Sequence, residues 1–473
     1  MHKILVIKFG GTSVGSAEAM QQTISQIQVA RQKWSQLVVV ISAVSGVTDL
    51  LLSGAKLASS GNEKGAYEVA HELDEKHRRI INELLKSDKE KNFVENRLNT
   101  HIQEFSSLCH AIYVLGEASP RALDAVSSLG ERISVNILAA SLRELQCDAT
   151  SVLSSKLIRT DSYFQAANPD MDTTRELSRR HLLPMLEQQI VPIVTGFIGS
   201  TDAGAITTLG RGGSDYSAGI IAVALEASEL WICTDVDGVM TTDPRIASNA
   251  KTLDTIAHNE IVELASAGAQ VVHPKAIGVI MDQNIDLWIR NTFNPEGAAT
   301  RVVSDADVSQ TQKRRAKAVT AVREQSLIAL EGRGMLGVQG IAARTFGAAA
   351  RVRANVTLIV QTSSEQSILF AVPSIVADQV VLELEREFYR EFEWNDIEAV
   401  NVQNNVVIVT VIGSGLFATS EFSGRLFTAL GENMVDVLSI TQGTSGGSIS
   451  VVVSKSDADN SVRAIHELIV GVS

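Results

Sequence analysis

The last third of the chain repeats itself, and that repeat restricts the possible folds more than any other feature. Leu327 matches Ile408, Gly334 matches Gly415, Phe346 matches Phe427, Ile359 matches Ile440, Gln361 matches Gln442 and Ser367 matches Ser448; the later number exceeds the earlier by 81 each time. Each copy reads strand, glycine loop, helix, strand, turn, strand, helix, so the region must be two like units on one plan. The repeat also disposes of a tempting motif. Gly332-Arg333-Gly334-Met335-Leu336-Gly337 has the G-x-G-x-x-G form between a strand and a helix, which alone would suggest a dinucleotide fold. The second copy carries the same loop over 413–418, and each unit is too small for a Rossmann domain.

The N-terminal part alternates differently. Ile4 to Ile7 form a short apolar strand that runs into Lys8, Phe9, Gly10, Gly11, Thr12 and Ser13, with helix-like sequence from about Ala17. Adjacent glycines let a backbone approach a ligand closely, and amides at a helix entrance suit an anion. No G-x-x-x-x-G-K-[ST] occurs here, so this is not a Walker loop. Read alone, the same residues also fit a tight turn with an exposed lysine. A second strand, Leu37 to Ile41, opens into Ser42-Ala43-Val44-Ser45-Gly46-Val47-Thr48, a second edge of one site if both strands end on the same side of a parallel sheet. The stretch from Gly65 to Leu108 is charged and helix-periodic and reads as an exposed excursion, with His71, His77, His101 and His110 as surface residues. Glu131 sits in the first turn of a helix beginning near Ser128, where plain helix-dipole chemistry would account for it. Beyond a strand at Ile190 to Phe197 and a hairpin-like segment, Gly210-Arg211-Gly212-Gly213-Ser214-Asp215 forms another glycine-rich entrance, to a helix over Ala218 to Ala227. A strand from Leu230 to Thr234 then leads to Asp235 and Asp237.

Strands alternating with helices to about residue 300 predict an α/β domain with a largely parallel sheet. Two anion-binding turns, a lysine, an arginine and nearby carboxylates suit phosphoryl transfer, which needs positioning and charge neutralisation more than covalent chemistry. An amino acid carries both charges, so one Arg and one Glu suit it as substrate. The formal net charge of −13 argues against nucleic acid or an anionic membrane as a partner. Cys109, Cys147 and Cys233 are far apart and form no C-x-x-C pair, so neither a disulfide framework nor a metal site is expected. With no apolar signal core or membrane-length apolar run, the chain reads as cytoplasmic. The basic run Lys313, Arg314, Arg315, Lys317 reads as a solvated part of a polar linker over about 300–317.

Together these stretches resemble the amino-acid kinase family, and within it the aspartokinases. K-F-G-G-T-S at Lys8–Ser13, S-x-G-E at Ser128–Glu131, G-R-G-G-S-D at Gly210–Asp215, T-D-V-D-G-V at Thr234–Val239 and T-T-D-P-R at Thr241–Arg245 stand in the family's order. The resemblance implies a three-layer kinase domain over 1–300 and two ferredoxin-like βαββαβ (ACT) domains over 318–400 and 401–473. It implies transfer of the γ-phosphoryl of MgATP to the side chain of L-aspartate. Lys8 and Asp215 would be catalytic, Asp215 orienting Lys8. Arg211, Glu131, Ser42, Thr48 and Ser214 would bind the substrate. Lys8, Gly10, Gly11, Ser13, Gly212, Gly213, Thr234, Asp235, Asp237, Arg245 and Gln270 would bind the nucleotide. Gly334, Gln361, Gly415 and Gln442 would bind an amino-acid effector, threonine favoured and lysine possible, in a homodimer or higher homo-oligomer. Two positions depart from the family pattern: Met240 stands where a tyrosine is usual, and Gln270, in Ala267-Gly268-Ala269-Gln270-Val271-Val272-His273-Pro274, replaces a lysine. The lost charge is either not replaced or is supplied by Lys275 or Arg245. His273 reads as structural. A kinase for another amino acid, and an effector sensor with a decayed catalytic half, are the other readings.

Overall fold

The computed structural model describes residues 3–269, 271–281, 283–304, 316–414, 416, 420–443 and 447–471. The chain divides into two compact units. The first takes Met1–Val239, Thr252–His258 and Gln270–Asp305; the second takes Met240–Lys251, Asn259–Ala269 and Ala306–Ser473.

The first unit is built on β1 (Ile4–Phe9) and, beyond helix α1 (Ala17–Lys33), β2 (Gln36–Ile41). Both strands are apolar along almost their whole length and buried at every residue, as a parallel strand covered on both faces must be. Helices α2 (Val47–Ser59), α3 (Glu63–Leu84), α4 (Asp88–Leu115), α5 (Pro120–Ser127) and α6 (Leu129–Glu144) follow, then β3 (Ala149–Val152), α7 (Met171–Glu187), β4 (Val191–Thr195), the hairpin β5 (Ile198–Ser200) and β6 (Ile206–Thr208), α8 (Gly213–Ala224), β7 (Glu229–Thr234) and β8 (Thr255–Ala257). The next helix, α9 (His258–Ser266), belongs from Asn259 onward to the second unit, and the first unit resumes with α10 (Pro274–Ile280), β9 (Asp286–Asn291) and β10 (Thr300–Val303). Eight strands form one sheet in the order β3-β4-β2-β1-β7-β9-β10-β8, parallel except where β10 meets β9. Leu5, Ile7 and Phe9 pack with α1 and α6 in one cluster. The two-residue period of a strand turns Val6 and Lys8 to the other face, where α7 and α8 lie against the sheet.

Three expectations change. The helices over 63–84 and 88–115 are no exposed excursion: Leu73, Ile81, Leu98 and Phe105 are buried in a cluster shared with α2, α5 and α6. Charged residues dominate their composition, but an apolar stripe at helical spacing decides their packing. That packing buries His77 and His101, while His71 stays exposed and His110 pairs with Glu63 at the surface. At 300–303 the chain is a sheet strand rather than linker, and the basic residues Lys313, Arg314 and Arg315 lie outside the described residues.

In the second unit β11 (Ala318–Glu331), α11 (Ile341–Arg351), β12 (Leu358–Gln361), β13 (Ser367–Pro373), α12 (Ser374–Glu387) and the short α13 (Tyr389–Glu393) precede β14 (Ala399–Ile412), α14 (Ser420–Glu432), β15 (Val437–Gln442), β16 (Ser448–Ser454) and α15 (Ala458–Val470). The six strands form an antiparallel sheet, β12-β13-β11-β14-β16-β15. The 81-residue period is written into the backbone. β11 and β14 begin and end 81 residues apart, and the left-handed residues Glu324 and Arg353 (φ +58° and +56°) recur as Asn405 and Met434 (φ +60° and +54°). Each long strand breaks register near its left-handed residue and serves both copies. Gln325–Glu331 lies against β13, while Ala318–Val322 lies against Ile412–Ile408, the half of β14 that pairs with β16. Each copy thus completes its four-stranded sheet with the first half of the other copy's long strand.

Candidate active site

β1, β2, β4 and β7 are neighbours in the sheet and parallel, so their carboxyl ends line one edge. At that edge Lys8 is buried, its Nζ 2.6 Å from Asp215 Oδ1. Asp215 lies in the first turn of α8, which begins five residues earlier than the apolar pattern suggests because Gly212 (φ +69°) turns the chain into it. The backbone N–H of His273 donates to Asp215 Oδ2 at 3.3 Å, a partner that no local pattern announces. The His273 ring packs against Gly212, where a Cβ would come within 2.2 Å of it. Only glycine meets both demands, the left-handed φ and the close approach.

Beyond β1 the chain makes one 3-10 turn, with Ser13 N–H donating to Gly10 O and Val14 N–H to Gly11 O. Gly10 and Gly213 have their own amides already spent, Gly10 on Cys233 O of the neighbouring β7 and Gly213 on Gly210 O within its turn. A side chain at Gly11 would press on Ala43 O at 3.2 Å, so this turn and the loop after β2 are stacked closely. Ser13 is fully buried with its hydroxyl 2.7 Å from that of Thr292, which occupies it. Ser42, half-buried, donates its N–H to Phe9 O, and Thr48 sits in the first turn of α2.

Glu131, 3% exposed, is the anomalous group of the site. Burial pushes its carboxyl up to about 8, against the pull of hydrogen bonds from its own backbone and from Ala43. Its Oε2 is buried without a hydrogen-bond partner among the described residues. The next residue holds the helix in place: Arg132 makes a two-pronged pair with Glu104 of α4, at 2.7 and 2.8 Å. Burial would raise the Glu104 carboxyl, but hydrogen bonds from His101 and Arg132 bring it down to about 2.

Arg211 is exposed, with no ion pair among the described residues. Ser214 lies against Gly196 at the end of β4. Thr234 Oγ1 donates to Asp235 Oδ1, and Asp237 receives Nδ2 donors from Asn291 and Asn294, neither of which a motif singled out. Arg245 falls in the second unit, where its guanidinium is committed to Asp243. Lys275 lies over the Tyr216 ring, 5.8 Å from its centre. Gln270 and Gly415 lie outside the described residues.

The sequence matches the model of the amino acid kinase family over residues 3–291. The chain belongs to that family. Residues 328–388 and 409–468 each match the ACT domain, the two halves of the repeat. A lysine-sensitive aspartokinase 3 from Escherichia coli is 32% identical over 98% of this chain and 99% of its own. The crystal structure of E. coli aspartokinase III in complex with aspartate and ADP superposes with a TM-score of 0.81 at 30% identity, covering 98% and 99% of the two chains. A chloroplastic bifunctional aspartokinase/homoserine dehydrogenase 1 from Arabidopsis thaliana is 34% identical over 98% of this chain and 50% of its own length. The chain spans about half the length of the bifunctional relatives it matches, and within the amino acid kinase family it groups with the aspartokinases. Among the described residues no helix is long and apolar enough to cross a membrane.

In the first ACT copy of this amino acid kinase, a cavity of about 390 Å³ is lined by Met335, Gly337, Gln339, Ile341, Gln361 and Glu365, among others. Gln361 thus borders a cavity. Gly334 does not; it packs against Asp396, where a Cβ would meet atoms at 2.4 Å. Gln442, its counterpart at the end of β15, is exposed.

Proposed function

We propose that this chain is an aspartate kinase, moving the γ-phosphoryl of MgATP onto the side-chain carboxylate of L-aspartate to give 4-phospho-L-aspartate. The observation that carries this reading is Glu131, a buried carboxylate with an unpartnered oxygen. A fully buried acid is costly unless a cation meets it, and the substrate's ammonium group is that cation. Arg211, with its guanidinium uncommitted, receives the α-carboxylate in fork geometry. One carboxylate oxygen of the substrate attacks the γ-phosphorus, the bond to the β,γ-bridging oxygen breaks, and ADP leaves. Lys8 neutralises charge on the phosphoryl group in flight, and Asp215 keeps it aimed, held in turn by the His273 amide. The glycine turns around Gly11 and Gly212 bring backbone close to the phosphates, while Thr234, Asp235 and Asp237 line the nucleotide side. Ser42, Thr48 and Ser214 are further polar contacts. The magnesium ion arrives with the nucleotide as part of the substrate.

An ATP-dependent hydroxamate assay with Mg²⁺ tests the reaction. Product with aspartate is expected; none, or product with glutamate instead, overturns it. Regulation by an amino acid in the cavity beside Gln361 follows the same reading. Threonine fits the Gln361 and Gln442 pair, whereas the Glu365 carboxylate in that cavity and the lysine sensitivity named for the E. coli relative favour lysine. Separate titrations with the two amino acids decide between them. ACT units commonly assemble across subunits, so a homodimer or higher homo-oligomer is expected by light scattering.

A further inference from the structure

Asp124, on α5, is 1% exposed and takes no part in the reaction as derived above. Among the described residues no cation pairs with it; four donor contacts balance it instead. Thr208 gives its hydroxyl to Oδ1 at 2.7 Å and its N–H to Oδ2 at 2.9 Å, and the Gln165 N–H points at both oxygens, at 3.1 and 3.0 Å. The donors come from two separate segments, the end of β6 and the turn around Gln165. Thr208 ends β6 and begins the glycine-rich turn. Gln165 sits in the left-handed region (φ +72°), which a glutamine adopts only when its surroundings hold it there. The two segments are stitched further by Ala167 N–H to Thr208 O at 3.0 Å. Gly210 backs directly onto Gln165, where a Cβ would stand 3.0 Å from its carbonyl oxygen.

Downstream of this clamp the turn is held by Leu209 N–H on Phe197 O and by Gly213 N–H on Gly210 O, all of it backbone, and the Arg211 side chain makes no hydrogen bond or ion pair among the described residues. Arg211 is exposed and has no partner among the described residues, so its position is set by the backbone beneath it. We propose that Asp124 is a positioning residue for the amino-acid substrate, acting through the Leu209–Gly213 turn to fix where Arg211 stands. A carboxylate is the one side chain of this size with acceptors on both arms. Asparagine would turn an NH₂ toward the N–H of Thr208 or Gln165, donor against donor, without changing the volume. The inference rests on the proposed kinase reaction, in which Arg211 binds the substrate's α-carboxylate.

The test is a double-mutant cycle read on kcat/KM for aspartate, with Asp124→Asn and Arg211→Ala. Asp124→Asn alone is expected to lower kcat/KM by tens of fold, toward the ~100-fold that a displaced binding group costs, mainly through KM for aspartate. In the Arg211→Ala background the same change should cost less than about threefold, because the group it positions is gone. An equal loss in both backgrounds overturns the proposal. Thr208→Val keeps the carboxylate and removes one donor; it should show a smaller loss of the same kind if Asp124→Asn folds poorly, and no loss counts against the proposal. Hydrogen exchange separates this inference from the kinase reading. Amides of 209–214 should exchange faster in Asp124→Asn whatever the enzyme's substrate, and unchanged exchange refutes the clamp even in an active enzyme. An inactive parent with a loosened turn refutes the kinase reading alone.

Discussion

Replacing Lys8 by alanine removes the charge that neutralises the moving phosphoryl group and strands Asp215 beside it. Interactions made in the transition state appear in kcat, so kcat should fall about 100- to 1,000-fold while KM for ATP moves only a few fold. Steady-state kinetics at saturating aspartate check this, and a variant with normal kcat overturns the role. Glu131 offers a prediction of opposite sign. Its folded carboxyl titrates near 8 against 4.5 in the unfolded chain, so between those values the unfolded state ionises first and the folded state loses stability as pH rises. Glu131→Gln removes that loss. The variant should match the parent's thermal midpoint near pH 4.5 and exceed it at pH 8, by on the order of a few kcal/mol in stability. Its KM for aspartate should nevertheless rise at least tenfold, and aspartate should raise the parent's melting temperature but not the variant's. Equal melting at both pH values would show that Glu131 is solvated rather than poised for a cation.

Among the elements, α8 depends most on a single backbone position. Gly212→Ala forces a left-handed alanine into the His273 ring, so the turn must open or the ring must move. Strain of this kind costs about 1–3 kcal/mol, and because Asp215 is held by the His273 amide, activity should fall far more than stability. Chemical denaturation beside kinetics distinguishes the two, and an active Gly212→Ala variant would show the turn to be slack. The same elements mark what the sequence could disclose. Short apolar runs announced β1, β2 and β7, and the spacing of glycines, lysine, arginine and aspartate announced the Lys8–Asp215 edge. The contacts that hold that edge join residues far apart in the chain: Ser13 to Thr292 over 279 positions, Asp124 to Thr208 over 84, Asp215 to His273 over 58. No local period encodes such pairs. Composition misled at α3 and α4, where abundant charge hid a buried stripe that includes His77.

Across the whole molecule, the family match and the compact units divide the chain differently. Residues 240–251 and 259–269 lie inside the kinase-family match yet pack with the ACT repeat. Val319 N–H donates to Thr241 O, the Thr241 hydroxyl meets buried His466 at 2.8 Å, and Ser448 donates to Glu263. Lys317, half-buried, pairs with buried Glu260 at 2.6 Å. Lys317→Met leaves a buried carboxylate without that cation and should destabilise the second unit by ~3 kcal/mol, seen as an earlier denaturation midpoint of that unit; an unchanged midpoint refutes it. The exchanged halves of β11 and β14 carry a different implication. One copy taken alone has a long strand and a hairpin but no fourth strand to close its sheet. Neither copy can therefore finish folding before the other is present, and the two must be gained or lost together as one cooperative piece.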